Sequence, residues 1–257
     1  MNQSQRRIYL INELLKENHE LEGIKTPSSV EEQKRLLRGL MNIRMPKAVS
    51  EDFLKIQDEY LQEESAEKGI IRLSDLKPLK EGIYLWQGDI TTLRCGAIVN
   101  AANSGMTGCY VPCHGCIDNA IHTYAGIQLR LKCSEIMNEQ GYPEPAGKAK
   151  ITPAYNLPCD YVIHTVGPVV DGKLTKAHEE ILASCYDSCL ELAEKSGIKS
   201  IAFCCISTGE FHFPNERAAE IAVDRVCKYK EKNHSEIEVI FNVWKDKDGE
   251  IYRKLLG

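Results

Sequence analysis

From about residue 71 onward, short runs of β-branched and aromatic residues alternate with longer segments of helical periodicity. This alternation constrains the fold more than any other feature of the chain. The predicted strands cover 83–87, 97–100, 149–152, 161–166, 201–205 and 237–244. The predicted helices cover about 116–137, 176–194, 215–230 and 252–256. Strands that alternate with helices are typical of an α/β layered sheet, so we predict the α/β class.

Residues 1–70 lack this alternation, and their apolar residues recur at helical spacing instead. The three predicted helices cover about 8–15, 30–41 and 50–66. Ser29 is the expected N-cap of the second helix, because Glu32 follows it three residues later. We therefore divide the chain into an N-terminal helical extension, 1–70, and a main domain, 71–257. We interpret the extension as a packing appendage, and a direct role in substrate choice is the alternative.

The charge balance argues against partners that require a basic surface. The 257 residues include 32 Lys and Arg against 37 Asp and Glu, a formal net charge of −5. Proteins that coat nucleic acids or membrane surfaces usually present a basic face. No apolar stretch approaches the length of a membrane span. We therefore expect neither a nucleic-acid partner nor a membrane partner.

Eleven cysteines are a high count for a chain of this length. The stretch MNQSQRRIYLINELL contains no apolar signal core and no small-residue cleavage site. We therefore expect reduced thiols and a cytoplasmic location. Most of the cysteines lie on apolar segments and are expected in the core. Only the cluster over 109–116 has metal-ligand spacing.

The segment 108–122, GCYVPCHGCIDNAIH, concentrates sulfur and imidazole donors. Cys109, His114 and Cys116 form a C-x4-H-x-C pattern whose soft donors suit zinc. Cys113 is a fourth candidate, but neighbouring side chains usually point apart, so one of Cys113 and His114 is expected not to bind. Three protein ligands leave the open coordination position that a catalytic zinc requires. A four-ligand structural site and a group of core cysteines without metal are the alternatives.

Polar residues follow several predicted strands, at the sheet edge where α/β proteins bind ligands. Gly88 permits a sharp turn, and Asp89 leaves a carboxylate that can accept a hydrogen bond from an adenine amino group. Asn100 and Asn103, within VNAAN, offer amides to ribose hydroxyls. Ordinary strand-end turns are the alternative interpretation of both patterns.

A second loop, CISTGEFHFP over 205–214, joins a predicted strand to a helix. Its Ser-Thr-Gly segment presents hydroxyls and backbone N–H groups to a phosphate. Phe211 is a candidate for packing on a sugar face, and Trp244, after the last strand, for stacking on an adenine. A structural turn and a core tryptophan are the alternatives.

Taken in order, GDIT, IVNAAN, IDNAIH, IHTVGP and CISTGEFHFP closely resemble the macrodomain family, over about residues 71–257. The resemblance implies a three-layer α/β/α fold with a mixed central sheet and an ADP-ribose cleft at its edge. It implies that Asp89 meets the adenine amino group, that Ile90 contacts the pyrophosphate region through its backbone N–H, and that Asn103 lies by the distal ribose. It implies a second phosphate loop and an adenine-stacking position formed by Ser207, Thr208, Gly209, Glu210, Phe211 and Trp244.

One departure from the family pattern indicates a subclass. Common hydrolytic macrodomains carry a glycine run followed by Val-Asp-Gly, whereas this chain has CYVPCHGC followed by Ile117, Asp118 and Asn119. The aspartate is retained as Asp118. The replacement resembles zinc-containing microbial macrodomains, which also have an N-terminal helical extension. The resemblance implies a Zn²⁺ cofactor held by Cys109, His114 and Cys116, with Cys113 as a bystander.

The same resemblance implies a function. Members of this subclass are linked to reversal of protein ADP-ribosylation made by a sirtuin-like transferase, on a lipoyl-carrier protein related to the glycine cleavage system H protein. We expect zinc to polarise a ribose hydroxyl or to hold a water near the anomeric carbon. Asp118 and Asn103 are the expected catalytic residues, and Asp118 would orient that water, act as general base or hold the ribose.

Other interpretations stay open at this stage. The main alternative is a reader module that binds ADP-ribose without cleaving it. An O-acetyl-ADP-ribose deacetylase would use the same cleft, and a zinc-finger-like interaction protein is a further possibility. His122 and His212 are minor functional candidates, because a lone histidine is more often a packing or surface residue.

Overall fold

The computed structural model describes residues 1–257, and the chain begins with three helices that pack on one another. They are α1 (Gln3–Lys16), α2 (Val30–Ile43) and α3 (Glu51–Lys68). Ser29 caps α2 as predicted, because its hydroxyl accepts a hydrogen bond from the Glu32 amide at 3.3 Å. Nine apolar side chains from these helices and Ile127 from the rest of the chain form one cluster of ten buried residues. The predicted helical extension is confirmed.

Nine short strands follow. They are β1 (Ile71–Arg72), β2 (Pro78–Lys80), β3 (Ile83–Gln87), β4 (Leu93–Arg94), β5 (Ala97–Ala102), β6 (Ala149–Pro153), β7 (Tyr161–Val166), β8 (Ser200–Phe203) and β9 (Glu238–Val243). Seven of them form one sheet in the order β2-β3-β9-β8-β5-β7-β6, while β1 and β4 form a separate parallel pair. The central strands are parallel and the edge strands β2 and β6 are antiparallel. The sheet is therefore mixed, as predicted.

Five helices cover the two faces of this sheet. They are α4 (Ile117–Ala125), α5 (Ile127–Gln140), α6 (Lys176–Lys195), α7 (Asn215–Asn233) and α8 (Asp246–Leu256). One layer contains α6, α7 and α8, and the other contains α4 and α5. A core of 45 buried residues fills the space between sheet and helices. The three-layer α/β/α arrangement is confirmed. None of the helices has the length and apolar character required to cross a bilayer.

The prediction of a single helix over 116–137 is wrong, because the structure has two helices that meet at Gly126. Gly126 has φ +95°, a conformation that residues with a Cβ rarely adopt. The Ile127 amide, freed at the start of α5, donates to Gln57 Oε1 of the extension at 3.0 Å. The apolar periodicity continues through the break, so a pattern of apolar residues does not reveal it.

Candidate active site

Five parallel strands, β3, β9, β8, β5 and β7, direct their carboxyl ends to one edge of the sheet. The loops that follow these strands cover 88–92, 103–116, 167–175, 204–214 and 244–245. Except for Asn100, which lies in β5, and His122, in the second turn of α4, the predicted site residues lie in these loops or in the first turn of α4. Since this is the edge where α/β sheets bind ligands, the fold brings the predicted residues into one region.

Asp89 follows β3 and caps a short 3-10 turn that contains the buried Ile90. Its Oδ1 accepts hydrogen bonds from the Thr91 amide at 3.0 Å and the Thr91 hydroxyl at 2.6 Å. Its Oδ2 lies 3.0 Å from Lys68 Nζ of α3. Burial acts to raise the pKa of Asp89, but the Thr91 bonds and the Lys68 charge outweigh it and lower the pKa. The carboxylate is therefore ionised at neutral pH and can accept a further hydrogen bond.

The loop after β8 forms a tight turn around Ser207. Ser207 has φ +64°, and its buried hydroxyl has no hydrogen-bond partner. Gly167, after β7, lies so close that a Cβ there would collide with the Ser207 hydroxyl, which explains the glycine in IHTVGP. The Thr208 hydroxyl is already used, because it donates to the Cys205 carbonyl at 2.9 Å. The loop after β7 and the loop after β8 are therefore in close contact at the edge of the sheet, with no room for a side chain at Gly167.

Asp118, in the first turn of α4, is a buried carboxylate held by two amides. Its Oδ1 accepts from Asn100 Nδ2 of β5 at 2.8 Å, and its Oδ2 accepts from Asn103 Nδ2 at 3.3 Å. Burial raises the pKa of Asp118 from its ordinary 3.8 to about 6, and the Asn100 bond, the Arg130 charge and the Asn103 bond oppose that rise. A carboxyl group with a pKa near neutrality is suited to exchange a proton during a reaction.

Two buried histidines, His122 and His164, lie on the core side of Asp118. His164 of β7 contacts Asn100 Nδ2 at 3.2 Å and the Thr152 hydroxyl at 2.9 Å, and burial lowers its pKa to about 3. His122 has no hydrogen-bond partner at either ring nitrogen, and its Nε2 lies 3.6 Å from Asp118 Oδ1. Burial, with a further effect of His164, lowers the pKa of His122 well below 6.5. Both histidines are therefore neutral core residues near the site.

The predicted metal ligands Cys109, His114 and Cys116 come together, with all three ligand atoms within 4.8 Å of one another. Cys109 Sγ lies 3.7 Å from His114 Nδ1. Zinc bonds of about 2.3 Å to sulfur and about 2.0 Å to nitrogen at a tetrahedral angle would place the two donors roughly 3.5 Å apart. The donor types and their spacing therefore fit a zinc ion held by two thiolates and one imidazole.

Cys113 is directed away from this group. Its Sγ donates to the Arg35 carbonyl of α2 at 3.3 Å, and its amide donates to Asn42 Oδ1 at 2.9 Å. Its φ of +54° is in the left-handed region, which turns the chain so that His114 and not Cys113 faces Cys109. The geometry thus gives three convergent donors rather than four.

The loop that carries the three donors, 103–116, meets the loop 204–214 at His114. While Nδ1 of His114 faces Cys109, its Nε2 lies 3.6 Å from Glu210 Oε1. Glu210 was predicted in the phosphate loop, and its side chain is 67% exposed. A carboxylate behind a ligating imidazole fixes the ring orientation and raises the basicity of the ligand. Glu210 therefore faces the second ring nitrogen of His114, at a distance somewhat longer than a hydrogen bond.

Two further candidate residues have surroundings that bear on their predicted roles. Asn100 is fully buried, with Nδ2 directed to Asp118 and His164 and with no hydrogen-bond partner at Oδ1, and its contact with a ribose hydroxyl stays a prediction. Trp244 is 70% exposed after β9, which excludes the alternative of a core tryptophan. Lys68, which pairs with Asp89, was not found from the sequence, because nothing distinguishes it there from other surface lysines.

An α/β/α sandwich with these loops at the carboxyl edge of a mixed sheet defines a class of nucleotide-binding domain. Comparison with known proteins places the chain in the same class. Residues 99–222 match the family model described as Macro domain. A relative from Treponema medium, named protein-ADP-ribose hydrolase, is 57% identical over 261 residues, covering 100% of this chain and 100% of that protein. A protein of the same name from Staphylococcus aureus strain MRSA252 is 49% identical, covering 96% of this chain and 93% of its own length.

Solved structures give the same result. The Trypanosoma brucei macrodomain in complex with ADP-ribose superposes with a TM-score of 0.67 at 29% identity, covering 86% of this chain and 95% of that one. The Oceanobacillus iheyensis macrodomain with ADP gives a TM-score of 0.63 at 33% identity, covering 70% and 93%. The chain belongs to the macrodomain family. Because the Treponema relative aligns over the whole chain, that similarity includes the helical extension.

Proposed function

We propose that this chain is a zinc-dependent hydrolase that removes mono-ADP-ribose from modified protein side chains. The observation that carries the proposal is the position of Asp118 beside the metal-ligand cluster. One amide group, Asn103 Nδ2, donates both to Asp118 Oδ2 at 3.3 Å and to the Gly108 carbonyl at 3.2 Å. Cys109 follows Gly108, and Cys116 caps the helix that carries Asp118. A reactive carboxyl group and three soft donors are thereby fixed to one another.

The proposed substrate position follows from the order of loops along the sheet edge. Asp89, with an ionised carboxylate, is available to the adenine amino group, and Trp244 is exposed for stacking on the base. The loop containing Ser207 and Thr208 would contact phosphate, and Asn103 would lie by the distal ribose. This assignment is supported by the family of the chain and by the names of its full-length relatives.

Zinc would be held by Cys109, His114 and Cys116 and would supply Lewis-acid polarisation of an oxygen at its open position. The residues of the chain do the remaining work. Asn103 and Asn100 hold the carboxyl group of Asp118 in a fixed orientation. With a pKa of about 6, Asp118 can accept a proton from an attacking water or hold a ribose hydroxyl. The neutral histidines beneath it add no charge to the site.

We further propose the biological setting. The substrate would be an ADP-ribosylated lipoyl-carrier protein, modified by a sirtuin-like transferase in the cytoplasm. This rests on the resemblance of CYVPCHGC and of the helical extension to the zinc-containing microbial macrodomains.

Release of ADP-ribose tests the hydrolase proposal. A mono-ADP-ribosylated lipoyl-carrier protein is incubated with the chain, and loss of the modification is followed by intact-protein mass spectrometry. Cys109→Ala, His114→Ala and Cys116→Ala should each lose zinc and abolish release, whereas the matched variant Cys113→Ala should keep both. Normal turnover in a variant without metal would refute the role of zinc.

The same assay separates the alternatives. Tight binding of ADP-ribose without release from any modified carrier would identify a reader module. Faster cleavage of O-acetyl-ADP-ribose than of the modified protein would identify a deacetylase. Release from other modified proteins, but not from the lipoyl carrier, would retain the hydrolase and reject the proposed target.

A further inference from the structure

Helix α2 of the extension contacts the metal loop, residues 109–116, through backbone and side chains. Arg38 Nη2 donates to the His114 carbonyl at 2.9 Å. Asn42 Oδ1 accepts from the Cys113 amide at 2.9 Å. At Gly39 an added Cβ would lie 3.7 Å from Pro112 Cβ, so even the smallest side chain at this position would be in van der Waals contact with the loop. The extension therefore packs directly against the residues that carry the metal donors.

Asn119, buried in the first turn of α4, joins α2 to the other side of the loop. Its Oδ1 accepts from Arg38 Nε at 3.2 Å and from Arg38 Nη2 at 2.8 Å. Its Nδ2 donates to the Val111 carbonyl at 3.0 Å. Arg38 and Asn119 thus fix the Val111 and His114 carbonyls, which lie in the turn between Cys109 and Cys116.

The start of the metal loop, at Cys109, is also held by an arginine that donates hydrogen bonds to backbone carbonyls. Arg130 of α5 donates from Nη2 to the Cys109 carbonyl at 3.2 Å and from Nη1 to the Arg44 carbonyl, after α2, at 2.7 Å. Cys113, between the two held ends, has a φ of +54° that a residue with a side chain rarely adopts. Contacts from outside the loop are therefore needed to keep this turn, and the turn directs His114 toward Cys109.

We propose that Arg38 and Asn119 are positioning residues for the metal site, so that docking of α2 preorganises the three donors. Metal binding and docking of α2 then stabilise each other, because a coupling between two equilibria acts equally in both directions. The extension becomes a component of the metal site rather than a packing appendage. This inference rests on the zinc binding proposed above.

The experiment uses the full-length chain and measures zinc affinity by competition with a chromogenic chelator. Arg38→Met removes the three hydrogen bonds of Arg38 while keeping the length of its side chain. Arg35→Met, one turn earlier on α2, is the matched control, because the exposed Arg35 side chain makes no hydrogen bond or ion pair. Loss of contacts behind metal ligands typically lowers affinity about 10–100-fold, and we expect that loss in Arg38→Met alone.

Two further measurements distinguish positioning from general destabilisation. Hydrogen exchange without metal should be faster over 109–119 in Arg38→Met than in Arg35→Met, with no change in the central strands. Asn119→Ala should weaken zinc binding by a similar factor, and the double variant should lose less than the sum of the two single losses, because both single substitutions break the same Arg38–Asn119 hydrogen bonds. This non-additivity is not expected if each substitution only lowers overall stability.

The outcomes separate the inference from the proposed function. A wild-type chain that binds no zinc would overturn the metal proposal and this inference together. Zinc binding by the wild type, with equal affinities of Arg38→Met and Arg35→Met, would overturn only the inference. Strictly additive losses in the double variant would also overturn it.

Discussion

Replacement of Asp118 by asparagine isolates the charge and proton-accepting ability of this side chain. Asp118 accepts one amide hydrogen bond at each carboxylate oxygen, from Asn100 at 2.8 Å and from Asn103 at 3.3 Å. An asparagine keeps one oxygen, and we expect it to face the shorter bond from the fully buried Asn100. The Asn103 amide would then face another amide group, although it keeps its bond to the Gly108 carbonyl.

These contacts set the expected magnitudes. Loss of one hydrogen bond to a charged acceptor costs about 1.5–3 kcal/mol, but removal of the buried charge offsets part of this cost, because burial disfavours the ionised form of Asp118. We therefore expect a smaller net fall in the free energy of unfolding and a folded variant. Loss of a general base should lower kcat by about 10²–10⁴-fold. The affinity for ADP-ribose should change by less than about 10-fold, or about 1.4 kcal/mol, because Asp89 and the phosphate loop are unaltered.

Single-turnover release from a modified carrier protein gives the rate, isothermal titration calorimetry with ADP-ribose gives the affinity, and urea unfolding gives the stability. Asp118→Ala is the companion variant and should show the same separation of rate from affinity with a larger loss of stability. Equal losses of rate and affinity would indicate a binding residue instead. Wild-type turnover in Asp118→Asn would refute the assignment of Asp118 as a reacting group.

Three other predictions follow from the site and its core. Glu210→Gln should weaken zinc binding by about 10-fold, because it removes the carboxylate that faces His114 Nε2. An unchanged zinc affinity, measured by chelator competition, would contradict this prediction. Cys116→Ala should raise the hydrogen exchange of the first turn of α4, because it also removes the cap that accepts the Asn119 amide, whereas Cys113→Ala should not. Burial lowers the pKa of His164 from 6.5 to about 3, so the stabilisation by neutral His164 is complete above pH 6.5 and is lost as the pH falls toward 3. Urea unfolding should show that His164→Gln loses about 1.3 kcal/mol less stability per pH unit than the wild type between about pH 5.5 and 4, and equal slopes would contradict this.

Local chemistry was sufficient to predict most of the elements. The strand over Tyr161–Val166 was predicted with its observed bounds, and α6 was predicted to within one residue of Lys195. Ser29 was predicted as a cap because capping is a contact between residues three positions apart. The break at Gly126 could not be predicted in this way, since two of the three side chains that fill the space beside the glycine, Gln57 and Asn156, are far away in the chain.

The short edge elements were missed for a related reason. The strands β1, β2 and β4 contain two or three residues each, which is too few for a pattern of alternating burial to be visible. Their existence depends on a partner strand that supplies the hydrogen bonds. The exposure of Trp244 was also left open, because the last residue of a strand can face either the core or the loops.

The spacing of Cys109, His114 and Cys116 predicted by itself a group of soft donors, because C-x4-H-x-C is a pattern of ligand types that suits zinc and its members fall within a single loop. The order of the strand-end motifs determined the edge at which they would gather. Only the tertiary structure decided that Cys113 turns toward α2, that Asn100 holds Asp118, and that Arg38 holds the metal loop. These contacts join residues more than fifteen positions apart, and their geometry depends on how separate elements pack, which no local pattern encodes.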